Sequence, residues 1–272
     1  MRRASIGRGM ALATAFCVTA VIHTTAANAA AQDGAPGDWS FTVGAGALYI
    51  PDYEGSDEFE VLPLPIVEVS WRDRVRLTTI GGPGLYATPF VTDGLRFDLG
   101  VRYEFGRKED DNDALKGLGD LDVGAVGVVR LGYAVGPVDL GLVVARDITG
   151  DRKGLTATLE AEYAIDLFGG RGRLGVTSYV TWADDEYMGN TFGVTAAQAA
   201  RSARRYTRYD AAAGVKDAGV AVALAYKLTD SIQAIGGVGY GRLLGDAADS
   251  PLVDREGSAD QFMAQVGVSY RW

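Results

Sequence analysis

The stretch QFMAQVGVSYRW, residues 261–272, decides the fold. Read in steps of two, Phe262, Ala264, Val266, Val268, Tyr270 and Trp272 form one apolar row, while Gln261, Gln265, Ser269 and Arg271 fall on the other face. A period of two is the mark of a β-strand with unlike faces. The chain stops on an aromatic with a Tyr two residues before it, as expected of a strand that closes a transmembrane barrel and sets its aromatics at the lipid interface. Tyr270 and Trp272 are therefore expected to be interface anchors and a signal for the barrel assembly machinery.

Working outward, the same alternation recurs along the chain. Strands are predicted over 39–50, 59–72, 74–80, 85–91, 95–105, 121–134, 138–147, 155–165, 173–182, 215–228 and 232–243, which with the last makes twelve. Leaving out the short pair within 74–91 gives ten and keeps the number even. Pro63 and Pro65 cannot donate to a ladder, so a bulge or locally broken pairing is expected there. The clearest row is Leu95, Phe97, Leu99, Val101, Tyr103 and Phe105, opposite Arg96, Asp98, Arg102 and Glu104. Val126 and Val128 make 121–134 apolar on both faces, which suits a soluble sandwich slightly better than a wet lumen.

The connections settle that choice. Those after strands 2, 4, 6, 8 and 10 are brief, whereas most of those after odd strands are longer and polar. Short periplasmic turns and long outer loops are the habit of outer-membrane barrels, and a sandwich has no reason to segregate loop lengths this way. Aromatics at strand ends, among them Tyr49, Trp71, Tyr163 and Trp182, suit interfacial girdles. The predicted fold is an all-β, antiparallel, up-and-down transmembrane barrel over 30–272. It would sit in the outer membrane of a Gram-negative cell, in contact with lipid and lipopolysaccharide.

Residues 1–29 read as a cleaved secretory signal. Arg2, Arg3 and Arg8 precede an apolar run, and Ala27, Asn28 and Ala29 give a small-x-small cleavage site. The only Cys (Cys17) and the only His (His23) lie inside that segment. The mature chain therefore has no disulfide, thiolate nucleophile, His base or usual zinc site, and no catalytic, cofactor or metal residue is assigned. Taking the three basic residues of the segment from 26 leaves 23 against 35 acidic, a formal charge of −12. Such an acidic chain offers no phosphate-binding surface for nucleic acid.

The charged faces then become the candidate site. Arg96, Asp98, Arg102, Glu104, Arg130, Glu160 and Glu162 are expected to line the lumen, either as a mixed-charge wall that orients small polar solutes or as pairs that fill a narrow barrel. Residues 195–205 (TAAQAARSARR) are rich in helix formers. Their Arg201, Arg204 and Arg205, with Arg208 beyond, could contact lipopolysaccharide phosphates or fold inward onto lumen acids. The acidic loops at Asp52, Glu54, Asp57 and Glu58, and at Glu109, Asp110, Asp111 and Asp113, offer carboxylates to divalent cations or simply to water.

Several local motifs resemble one family. Tyr53-Glu54-Gly55-Ser56-Asp57 is followed by Pro63-Leu64-Pro65. Gly117-Leu118-Gly119-Asp120 enters a strand, Phe192-Gly193-Val194-Thr195 precedes Gln198 and Ser202, and the chain ends Tyr270-Arg271-Trp272. Their order over the whole mature chain resembles the MipA/OmpV family, with Trp272 where members usually end in Phe. The resemblance implies an outer-membrane barrel. For some members it implies a scaffold between a lytic transglycosylase and a peptidoglycan synthase, and for others a porin-type surface protein. A structural scaffold is thus the expected function, with a small porin-like channel as the alternative.

Overall fold

Twelve runs of alternating residues become a closed antiparallel wall in the computed structural model, which describes residues 38–272. The expected signal segment and its cleavage site lie outside the described residues. The strands are β1 (Trp39–Pro51), β2 (Phe59–Trp71), β3 (Val75–Thr78), β4 (Gly84–Val91), β5 (Leu95–Glu104) and β6 (Gly124–Val135). They continue as β7 (Val138–Asp147), β8 (Leu155–Leu167), β9 (Gly172–Ala183), β10 (Gly214–Lys227), β11 (Ile232–Leu243) and β12 (Asp260–Arg271). Each strand pairs with its sequence neighbour, and β12 returns to β1 with Val43 opposite Tyr270 and Ala47 opposite Val266. Closure removes the two free edges that an open sheet would leave unpaired in lipid.

Alternation fixes which face meets lipid. Leu99, Val101, Tyr103, Leu131, Tyr133, Leu140, Leu142, Leu159, Val266 and Val268 are exposed on the outside, and their neighbours in sequence turn inward. No helix among the described residues is long and apolar enough to cross a membrane, so the crossing is made by strands. The short turns and the described N-terminus share one rim with Trp272. There Trp39 packs 6.3 Å from Trp71, and Phe41 stacks 5.6 Å from Trp272.

Three local expectations are refined. The pair within 74–91 exists as β3 and β4, so the count is twelve, but β3 has only four residues. Pro63 and Pro65 leave the β1 ladder unbroken, with Ala47 opposite Pro63 and Ala45 opposite Pro65; pairing is lost only on the β3 side, where it stops at Glu68. β6 begins at Gly124 rather than at 121, because Leu121 is drawn out of the wall into a bridge with Arg107.

The long loops fold over the outer mouth as a lid with its own core. It contains α1 (Asp185–Thr191), α2 (Ala196–Arg201), α3 (Gly245–Ala248) and α4 (Pro251–Asp254). Asp184 caps α1, and Thr195 with Gln198 forms a reciprocal capping box on α2, so the first-turn donors of both helices find side-chain acceptors. Tyr53, Ala114, Leu115, Leu118, Val194, Tyr206 and Leu252 pack as one buried cluster. Below it Met188, Phe192, Ala247 and Val253 descend onto Leu48, Ile50, Leu62 and Met263 of the inner wall. Val126 is buried on that inner wall. A strand apolar on both faces is thus explained by lipid outside and side-chain packing within, and no sandwich is needed.

Candidate functional site

The charged interior divides into a latch under the lid and paired charges lower on the wall. The latch begins with a defect in alternation. β10 carries one extra residue against β9, where Val215 faces Trp182 and Asp217 already faces Thr181. Such a bulge lets two consecutive side chains share a face. Val215 points outward, while Lys216 and Asp217 are both buried inside at 2% and 0% exposure. Lys216 Nζ donates to Asp217 Oδ2 at 2.6 Å and to Glu54 Oε1 of the 52–58 loop. Tyr187 of α1 donates its hydroxyl to Glu54 Oε2 at 3.0 Å, and Lys216 Nζ lies 5.8 Å from that ring's centroid. One buried cation therefore joins the wall to two separate lid segments.

Beside it Arg152 reaches Glu104 at 3.0 Å, and Glu104 also meets Arg102 at 3.5 Å. Arg107, buried in the adjacent loop, donates to the carbonyl of Thr191 at 3.3 Å. Burial lowers its pKa to about 10, and the neighbouring Arg152 charge pushes the same way. Lid phenols shift oppositely. Burial raises Tyr53, Tyr187 and Tyr206, the last to about 12, with the negative charges of Glu54 and Glu256 adding to the second and third.

Lower on the wall the expected inner charges pair with one another. Arg96 Nε meets Asp98 at 2.9 Å, and Thr88 Oγ1 donates to Asp98 at 2.5 Å. Arg130 bridges Asp139 at 2.6 Å and Glu160 at 2.9 Å. Glu162 is buried on the same face of β8. The arrangement can neutralise a narrow interior. In these pairs the charges bond to one another rather than standing as an open row.

The basic segment lies in the lid. Arg201 donates to the carbonyl of Gly117 at 2.6 Å, Arg204 pairs with Glu256 at 3.3 Å, and Arg208 with Asp210 at 2.9 Å. Arg205, at φ 54, offers its carbonyl to Arg255. Arg201 and Arg204 thus staple this segment to neighbouring loops, and none of the four arginines pairs with a carboxylate of the inner wall among the described residues. In the acidic loops, Asp52 and Glu58 accept from Asn112 at 3.2 and 3.3 Å, and no group of three carboxylates converges as a cation cage among the described residues. Sequence reading missed Lys216, Asp217, Arg107, Arg152 and Tyr187. The one signal was Lys216-Asp217 itself, two adjacent charges inside an alternating apolar strand, which is how a bulge is written in sequence.

Residues 43–272 match the family model described as MltA-interacting protein MipA. Among solved structures, the COG4313 outer membrane channel from Pseudomonas putida F1 aligns at 14% identity and TM-score 0.43, over 88% of this chain and 97% of that one. The NanC porin aligns at 11% identity and TM-score 0.42, over 85% and 98%. OmpTdeltaL8, a loop-deletion form of an outer membrane protein of Vibrio cholerae, aligns at 7% identity and TM-score 0.37, over 86% and 98%. The comparison with curated proteins found no match.

Proposed function

The chain belongs to the MltA-interacting protein MipA family, and from that membership we propose that it is a non-catalytic scaffold that holds peptidoglycan-processing enzymes at the outer membrane. The observation that carries this reading is the lid. An outer mouth filled by Met188, Phe192, Val253 and the cluster above them closes the route that a permanent pore needs. What the barrel then offers at all times is its faces. The family description, MltA-interacting protein, supports a lytic transglycosylase as the partner class; a peptidoglycan synthase is the second enzyme we propose for such a bridge.

The periplasmic rim is where such a partner docks in this reading. Its turns are small, but Phe168 stands at φ 54 and 64% exposed between β8 and β9, with Arg171 beside it. Cross-linking in native outer membranes followed by capture of the full-length protein should recover a murein hydrolase or synthase. Phe168→Ala should lower that recovery at unchanged barrel level. Failure to recover either enzyme with an intact barrel would reject the scaffold. A second reading, a gated channel for small polar solutes, draws on the single-lysine latch, since such a lid could be released. Planar-bilayer conductance tests it directly.

A further inference from the structure

The wall is incomplete on one side. β2 pairs with β1 over all thirteen of its residues but with β3 over four, so 59–67 has no strand on its β3 side among the described residues. The β3–β4 and β4–β5 seams are also short, with four and six paired residues, whereas the remaining seams carry eight to thirteen. At roughly 3.3 Å per residue, nine residues leave an edge of about 30 Å along the strand. The gap lies toward the loop side, because the segment that turns β3 into β4 (79–83) forms its floor. Its top is crossed by the 105–123 loop, where Asn112 bonds to Asp52 and Glu58 of the loop above β2.

The composition of the edge matches its exposure. Val67 N–H donates to Thr79 Oγ1 at 2.9 Å, and that hydroxyl donates to the Pro65 carbonyl at 2.7 Å, so odd-numbered main-chain groups of β2 point into the gap. Pro63 and Pro65 occupy those positions and remove two donors that would otherwise face lipid unpaired. Residues 61–67 (VLPLPIV) are apolar on both faces, with Val61 and Val67 outside and Leu62, Leu64 and Ile66 inside. An aqueous lumen requires no such lining. Just inside the floor the chemistry changes. A Cβ on Gly82 would sit 3.0 Å from Arg102 Cδ, so the Arg102 stem lies across the floor. Arg76, two residues below the top of β3, stands 5.6 Å from the centroid of the Tyr86 ring. Its Nε is buried without a hydrogen-bond partner, and no carboxylate lies within ion-pair distance of it among the described residues.

We propose that this gap is a lateral window in the outer-leaflet half of the wall, which admits the acyl chain of an anionic amphiphile while Arg76 and Arg102 hold its headgroup inside. The window supplies apolar contact on both faces of one strand, and the two guanidinium groups supply charge for a carboxylate or phosphate. This activity stands apart from enzyme scaffolding, so neither result decides the other.

The test uses the full mature chain in nanodiscs of neutral phosphatidylcholine, with radiolabelled oleate, oleyl alcohol and phosphatidylglycerol as probes. Oleate should bind saturably, oleyl alcohol at least about tenfold more weakly, and Arg76→Gln should weaken oleate about tenfold, as expected for loss of one charged hydrogen bond. Tighter binding of phosphatidylglycerol than of oleate would assign a phospholipid rather than a free fatty acid as the source, and the reverse order the opposite. Equal binding of oleate and oleyl alcohol, or an unaffected Arg76→Gln, overturns the proposal. A benzophenone amino acid at Leu64, compared with one at Leu142 on the far wall, gives a readout independent of that variant's folding. Oleate should cross-link preferentially at Leu64, and equal labelling at both positions overturns the window.

Discussion

Lys216 shows how much of the lid's attachment rests on a single side chain. It is the buried cation between Glu54 and Asp217, and removing it leaves two carboxylates facing each other without a counter-charge. Breaking a buried pair in this way costs about 3–5 kcal/mol. Lys216→Met should therefore lower the urea midpoint of the barrel in lipid vesicles, and adding Glu54→Gln and Asp217→Asn should recover most of the loss; an unchanged midpoint in the single variant would remove the latch from the account. The same logic explains the motif around Glu54. Tyr53 fills the lid core, Gly55 sits at φ 97 with Val253 Cγ2 only 2.5 Å from where a Cβ would stand, and Ser56 is fully buried. Trp272 belongs to a different problem, since its backbone pairs with Phe41 at both N–H and C=O and its ring stacks on Phe41. A ring pair of this kind is worth about 0.5–1.5 kcal/mol, so Trp272→Ala should reduce the amount of inserted barrel far more than the stability of molecules already inserted. Quantifying outer-membrane levels by heat-modifiability gel checks this, and wild-type levels would contradict it.

At the scale of elements the lid behaves as a unit held by tyrosines that resist ionisation. Unfolded, Tyr206 titrates near 10, and in the lid near 12, so the folded form holds the proton more tightly. Its contribution is whole below pH 10 and is lost as pH rises through about 12. Proteinase K should accordingly begin to nick 184–213 between about pH 10 and about pH 12, while the strands stay intact. Tyr206→Phe keeps the ring but loses the 2.9 Å bond to the Ala114 carbonyl, and should flatten that pH response. A response identical in both proteins would place the alkaline transition elsewhere. The β10 bulge is a second element-scale device. Ordinary alternation would send Lys216 or Asp217 into lipid, and the extra residue brings both inside while the outward row of Val220 and Val222 continues below it. Such a feature was legible only as a break in pattern, because a period of two says which face a side chain takes and not where the period slips.

For the whole molecule the question is whether the closed mouth opens. Purified wild-type protein should conduct little in planar bilayers, and Lys216→Met or removal of 184–213 should raise conductance if the lid is what closes the path; high wild-type conductance would reject a stably closed barrel. Ten of the twelve strands, their two faces, the even parity and the long-loop rim were readable in the sequence, since lipid on one side imposes the same period-two rule on every crossing. The short β3 and β4 pair left the count between ten and twelve until the structure placed it. Leu99 and Val101 had to face out once Asp98 and Arg102 faced in, and the terminal Tyr270 and Trp272 marked the strand that meets β1. Family membership was readable too, from short motifs in order. Tertiary structure alone decided what the interior does with its charges and loops. It paired Arg130 with Asp139 and Glu160, turned the basic segment to stapling loops, put Lys216 under the lid, and stopped β3 short of β2. Those outcomes depend on which residues far apart in the chain meet in space, and alternation along one strand carries no record of its distant partners.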